Sequence, residues 1–166
     1  MNLSRVYVID TSYLLEIFAV PGHSTKEARD KIKSRITAAA KSGAHLYVTV
    51  PCIYELANHI SHVSNGNVRR SLAEQVRDTI LSSLDDATPW TIIPSQQLDT
   101  FKKLIVNFVD NHVIQQIGLS DSTLIDEARR LKDTTYRGPG WRMHIWTKDK
   151  NLKALEPDNE PDAYLG

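Results

Sequence analysis

Four acidic residues stand at positions where a chain changes from one kind of local structure to another. Asp10 follows directly on the β-branched and aromatic run RVYVI, and Glu55 lies one helical turn beyond Pro51, after the run LYVTV. Asp121 comes after Gly118 and Ser120 at the start of an apolar-periodic stretch, and Asp149 stands two residues past MHIWT. Carboxylates gathered in one place repel and raise one another's pKa, so such a group needs protons or a cation. A hard divalent ion, Mg²⁺ or Mn²⁺, binds oxygen ligands and keeps water. It thereby leaves room for a phosphate oxygen and an attacking water. The chemistry expected of these residues is metal-assisted hydrolysis of a phosphodiester.

Whether the four can meet depends on the elements that carry them. RVYVI at 5–9 reads as a buried strand running into a short helix, YLLEIF. Ser24 and Glu27 have the spacing of a capping box. They precede a helix with Ala28, Ile32, Ile36, Ala39 and Ala40 on one face, which Gly43 ends. A second strand at 46–50 leads through Pro51 into a helix to about His62, with Ile53, Leu56, Ala57 and Ile60 in register. The SNGN turn opens a further helix through Leu72, Val76, Ile80 and Leu84, and WTII at 90–93 makes a short third strand. One long helix is expected over 96–116, broken by Gly118, with Ser120 capping a helix that begins at Asp121; MHIWT at 143–147 is the fourth strand.

Strands alternating with helices imply right-handed crossovers and a three-layer α/β fold, a parallel sheet of four to five strands flanked by helices. In such a sheet the loops leaving the carboxyl ends of the strands share one edge, where ligands bind. Asp10 follows the first strand immediately, Glu55 lies one helical turn after the second and Asp149 follows the fourth, so all three sit near that edge. The helix opened by Asp121 must run antiparallel to the fourth strand, so its N-terminus and favourable dipole are at the same edge.

Each residue also has a plainer reading. Asp10 could cap a helix, Asp121 could complement a helix dipole, Asp149 could be a turn residue and Glu55 a solvated helix position. Their joint placement favours the chemical reading. Glu16, Asp126 and Glu127 read as exposed helix residues, with Asp126 able to approach a second metal. His59 and His62 have a zinc-compatible spacing but no accompanying HExxH or cysteine, which favours packing or surface roles. Cys52 has no evident histidine partner and reads as a buried thiol. Lys148 and Lys150 flank Asp149 and are the candidates for phosphate contact. The aromatic and arginine-rich loop at 136–142 should lie at the opposite sheet edge, suited to a partner or dimer contact rather than to single-strand stacking.

The bulk composition agrees with this organisation. At 166 residues the chain is expected to form one domain over 1–155, with 156–166 an acidic tail or a short edge strand. Twenty Lys and Arg balance twenty Asp and Glu, but four of the acids follow Lys153, so the body carries the positive excess. One cysteine and an opening without signal-peptide features fit a reducing, cytoplasmic setting, and no apolar run is long enough for a membrane span.

These residues resemble the PIN-domain nucleases, which include RNA-cleaving toxins of the VapC type and RNA-processing nucleases. VYVIDTSYLL is similar to the family's opening strand and first Asp, and PCIYELANHI to the helix bearing its Glu. GLSDSTLIDEA resembles the third motif, with Ala128 seven residues after Asp121, and HIWTKDKNL resembles the closing strand with Thr-x-Asp. The resemblance covers nearly the whole chain. It implies an Mg²⁺ or Mn²⁺ site at Asp10, Glu55, Asp121 and Asp149, with the hydroxyls of Ser12 and Thr147 orienting carboxylates. It further implies RNA as the expected substrate, with DNA open, an antitoxin protein if the chain is a toxin, and a homodimer. The stretch between Glu55 and Asp121 and the chain itself are long for a compact toxin. Two other readings remain. A HAD-type phosphatase would need a second Asp at position 12, which is Ser; a PIN-like scaffold that binds RNA or protein without cutting would need no metal.

Overall fold

Every residue from Val6 to Ile9 is buried, as a strand covered on both faces requires. That strand, β1 (Ser4–Ile9), is an inner member of a four-stranded, all-parallel sheet with β2 (His45–Thr49), β3 (Thr91–Ile93) and β4 (Trp141–Trp146), in the order β3-β2-β1-β4. The structure is a computed structural model and describes residues 3–166. Between strands come α1 (Thr11–Ile17), α2 (Lys26–Lys41), α3 (Val50–Ser61), α4 (Gly66–Asp86), α5 (Leu98–Asn107) and α6 (Leu119–Thr134), and α7 (Lys150–Lys153) follows β4.

Alternation of side chains along the strands divides the helices between two layers. Ile9 pairs with Trp146, and Arg35 of α2 lies 5.3 Å over the Trp146 ring. Val8, pointing the other way, pairs with Tyr47, whose hydroxyl meets that of Tyr136 beyond α6 at 2.6 Å. The fold is therefore the expected three-layer α/β arrangement, with four strands.

Local details depart from the sequence reading in four places. Thr25, not Ser24, caps α2, its hydroxyl accepting from Ala28 N at 3.2 Å; the Thr25 amide donates to the carboxylate of Glu16, which takes the part expected of Glu27. The cap of α6 is the backbone of Gly118, and Ser120 lies inside the first turn. Leu84 is exposed, while Ser83 faces inward and bonds to the carbonyls of Thr79 and Thr88. The long helix expected over 96–116 is interrupted: α5 gives way to a π-helical turn, Phe108–His112, and a 3-10 turn, Val113–Gln115. The wider turn shifts the helical phase and brings His112 inward, where its ring Nδ1 meets Ser122 Oγ at 2.7 Å. Leu104 is then the buried residue of α5, and Leu98, Val106, Val109, Val113 and Ile114 face outward.

The acidic tail is neither a strand nor loose. It covers the free edge of β4 with side chains: Asp158 Oδ2 accepts from Met143 N at 2.7 Å and Glu156 Oε2 from Ile145 N at 3.0 Å. Lys153 Nζ donates to Ile145 O and to both Glu156 and Glu160, each at 2.7–2.8 Å. Carboxylates thus occupy the donors that another strand would take, which blunts an edge otherwise open to pairing. At the far end of the sheet Gly140 O accepts from Ser4 N at 2.9 Å, so the 136–142 loop lies at the amino edge, opposite Asp10.

Candidate active site

Backbone pairing carries β1 one step past its last ladder pair, because Asp10 N donates to Trp146 O at 2.9 Å. This sets Asp10 beside Thr147 at the carboxyl edge of the sheet. Oδ2 of Asp10 accepts from Thr147 Oγ1 and Ser12 Oγ, both at 2.8 Å, and from Ser12 N at 3.4 Å. The two hydroxyls are themselves acceptors, Thr147 Oγ1 from Asp149 N at 3.0 Å and Ser12 Oγ from Lys148 N at 2.9 Å. The start of α1 and the segment after β4 are thereby knitted through Asp10. Burial raises the pKa of Asp10, and the Thr147 and Ser12 bonds pull against that rise without cancelling it.

Glu55 is exposed on α3, yet it is tied to the same junction: Thr11 Oγ1 donates to its Oε2 at 2.8 Å. Thr11 is a positioning residue that the sequence reading missed. Its signal was its place between Asp10 and Ser12, where a hydroxyl leaving the strand end can reach the next helix along the edge. One turn before Glu55, Cys52 is wholly buried; burial first, and then the nearby Asp10 charge, push its thiol up to about 12. It is no thiolate at neutral pH, as the plain reading expected.

Asp121 lies in the first turn of α6. Its pKa is pushed up to about 7, first by burial and then by the charges of Asp10, Glu55 and Asp149. The four carboxylates thus share one electrostatic field, although their sequence positions span most of the chain. Asp149 also caps α7, with Oδ1 accepting from Asn151 N at 2.7 Å and Leu152 N at 3.3 Å. Its plain and chemical readings are compatible. The set offers only oxygen donors, which is what Mg²⁺ or Mn²⁺ selects over softer sites. Among the described residues no three His, Cys, Asp or Glu side chains are drawn close enough together to hold an ion as they stand.

The two lysines beside Asp149 differ. Lys150 is exposed, whereas the ammonium of Lys148 is 2.7 Å from Oε1 of Glu16, which is 1% exposed. Glu16 was expected on the surface; burial pushes its pKa up, but Lys148, Ser24 and Thr25 outweigh burial and hold it below the ordinary range. Glu127, also expected outside, is buried and paired with Arg130 at 2.7 Å, and Asp126 is half-buried. Both reversals arise because α1 and α6 are covered on more than one side. His59 packs edge-on against His23, with centroids 4.4 Å apart, and the His62 ring bonds to Asn58 O at 2.7 Å, so these histidines have packing partners.

No helix among the described residues is long and apolar enough to cross a membrane. No protein-family model matches this chain, and no curated protein matches it.

Proposed function

We propose that this chain is a divalent-metal-dependent endonuclease of the PIN type, acting in the cytoplasm on phosphodiester bonds, in RNA by preference over DNA. The observation that carries the proposal is the elevation of Asp121 to about 7 by burial together with Asp10, Glu55 and Asp149. A carboxylate kept partly protonated first by burial and then by three neighbouring acids is one whose charged form a cation would favour. Asp10, Asp121 and Asp149 would hold the ion, with Glu55 completing the set or serving a second ion. When bound, Mg²⁺ or Mn²⁺ supplies charge neutralisation at the phosphate and acidifies water.

The chain's own residues do the positioning. Thr147 and Ser12 fix Asp10 by one oxygen, Thr11 fixes Glu55, and the α6 dipole favours the charged form of Asp121. Lys150, exposed beside Asp149, is the lysine proposed to meet a phosphate, and Lys148 serves chiefly to neutralise Glu16. The outward apolar residues of the 98–114 region favour a protein partner, a second copy or an antitoxin.

Incubation with single-stranded and structured RNA and DNA, in Mg²⁺, Mn²⁺ or EDTA, tests the proposal directly. RNA cleavage that EDTA abolishes is expected. Absence of cleavage of any substrate together with little carboxylate-dependent Mn²⁺ binding by calorimetry would instead favour a scaffold.

A further inference from the structure

Burial energy alone would arrange the π-helical turn Phe108–His112 the other way round. Val109 is 60% exposed, whereas His112 is 4% exposed and is the buried residue of the turn. Sinking the valine and leaving the imidazole in water would bury more apolar surface and no polar group. A π-turn fits one extra residue into a turn of helix and so redirects the side chains around it, and such turns collect at functional sites. The reversal is explained by what the His112 ring touches.

From that ring a short series of contacts leads to Asp121. Nδ1 is 2.7 Å from Ser122 Oγ, and Ser122 Oγ is 3.0 Å from Gly118 O. A carbonyl only accepts, so the Ser122 proton is directed to Gly118, and His112 is the donor with its hydrogen on Nδ1. Gly118 is the N-cap of α6, and its carbonyl also accepts from Ser122 N at 2.9 Å. Asp121 stands three residues on, the position from which a capping-box acid reaches back to the N-cap amide. Against the rise caused by burial and the neighbouring acids, the Gly118 N–H favours the charged form of Asp121. The two residues are close, since a carbon added at Gly118 would lie 3.8 Å from Asp121 Oδ2. His112 is itself anchored through its carbonyl, which accepts from Ile117 N at 3.1 Å. Ile117 and Ser122 are both buried, so water does not compete for this latch.

We infer that His112 is a positioning residue for Asp121: the π-helical turn aims its ring at Ser122, Ser122 holds Gly118, and Gly118 sets where the Asp121 carboxylate points. Two features favour this role over simple packing. A packing residue needs volume and no donor, yet the ring gives its Nδ1–H to the one hydroxyl that grips the N-cap of α6. The turn also leaves an apolar neighbour in water to achieve that contact. Outer hydrogen bonds of this kind orient the groups that hold a cation. The consequence for metal rests on reading the carboxylate edge as a cation site, but the orientation of Asp121 can be read without metal.

The test uses the full chain and two substitutions with opposite defects. His112→Phe keeps the bulk of the ring and loses the donor, whereas His112→Asn loses bulk and keeps an N–H near the place of Nδ1. Ser122→Ala cuts the same link from its other end and should repeat the effect of His112→Phe. The Gly118 amide and Asp121 carboxyl NMR signals are recorded in EDTA at one pH, alongside urea unfolding, and Mn²⁺ affinity is measured by calorimetry. His112→Phe should displace both signals and weaken Mn²⁺ binding by about tenfold. His112→Asn should return the signals and the affinity towards the parent while being the less stable of the two in urea. A packing role would give the reverse order, with the Asn variant the more impaired throughout. Signals unmoved by both His112→Phe and Ser122→Ala, or not restored by His112→Asn, would overturn the inference. Displacement and rescue in a protein that binds no Mn²⁺ would uphold it and count against the metal-site reading alone.

Discussion

Thr147 Oγ1 donates to Asp10 Oδ2 at 2.8 Å, a bond between residues 137 positions apart. The same hydroxyl accepts from Asp149 N, so a single neutral group fixes one carboxylate side chain and the backbone of another. Parallel pairing of β1 with β4 makes this possible, because it ends both strands at one level. Four predictions follow from the way this junction is held.

Asp10→Asn and Asp121→Asn each remove one negative charge from the shared field while keeping the side-chain shape. RNA cleavage in saturating Mn²⁺ should fall by about a hundredfold or more, with unchanged circular dichroism. Wild-type single-turnover rates in either variant would contradict the proposed roles.

Asp121 ties stability to pH. Its folded pKa, about 7, is above the ordinary 3.8, so without metal the folded chain keeps a proton that the unfolded chain releases between those values. The stability this group contributes is therefore full at the acid end and falls as pH rises from about 4 to about 7. Asp121→Asn should flatten that slope and be more stable than the parent at pH 8 in EDTA, by about 1–3 kcal/mol. Urea melts at pH 5 and pH 8 measure this. Parallel profiles for the two proteins would refute it.

Replacing Thr147 by Val takes a donor from Asp10 and an acceptor from Asp149 N, both within a buried region. The cost should be about 1–3 kcal/mol in urea unfolding, together with weaker Mn²⁺ binding by calorimetry. Thr147→Ser keeps the hydroxyl and should restore both. A Ser variant as impaired as Val would mean that the methyl group, not the hydrogen bonds, matters.

Lys148 and Lys150 should separate in their effects. Lys148→Met leaves Glu16 buried without its cation and should cost about 2–4 kcal/mol, whereas Lys150→Met at an exposed position should change stability little. Nucleic-acid affinity should respond in the opposite order, with Lys150→Met reducing its salt dependence. A stable Lys148→Met protein with weakened RNA binding would return Lys148 to phosphate contact.

The order of strands and helices was readable from the chain because periodicity and turn residues are local properties. The direction of parallel strands then placed Asp10, Glu55 and Asp149 at one edge before any contact was known. The run RVYVI needed no tertiary information to read as a strand, since a strand buried on both faces shows it in composition. Asp121 was placed by direction alone, and its electrostatic link to the other three acids accords with that placement.

Tertiary structure alone decided what each charged or polar side chain touches. Glu16 and Glu127 look like surface residues in sequence, and both are buried because other elements cover α1 and α6; the cation that Glu16 meets, Lys148, comes from the far end of the chain. The wider turn at 108–112 brings His112 to Ser122, a contact no periodicity can reveal. The acidic tail covers β4 because the sheet order leaves that strand at an edge, with donors facing outward. Hydrophobic pattern is written along the chain, whereas the partner of a charge depends on which segments meet, and that is fixed only when the whole chain has packed.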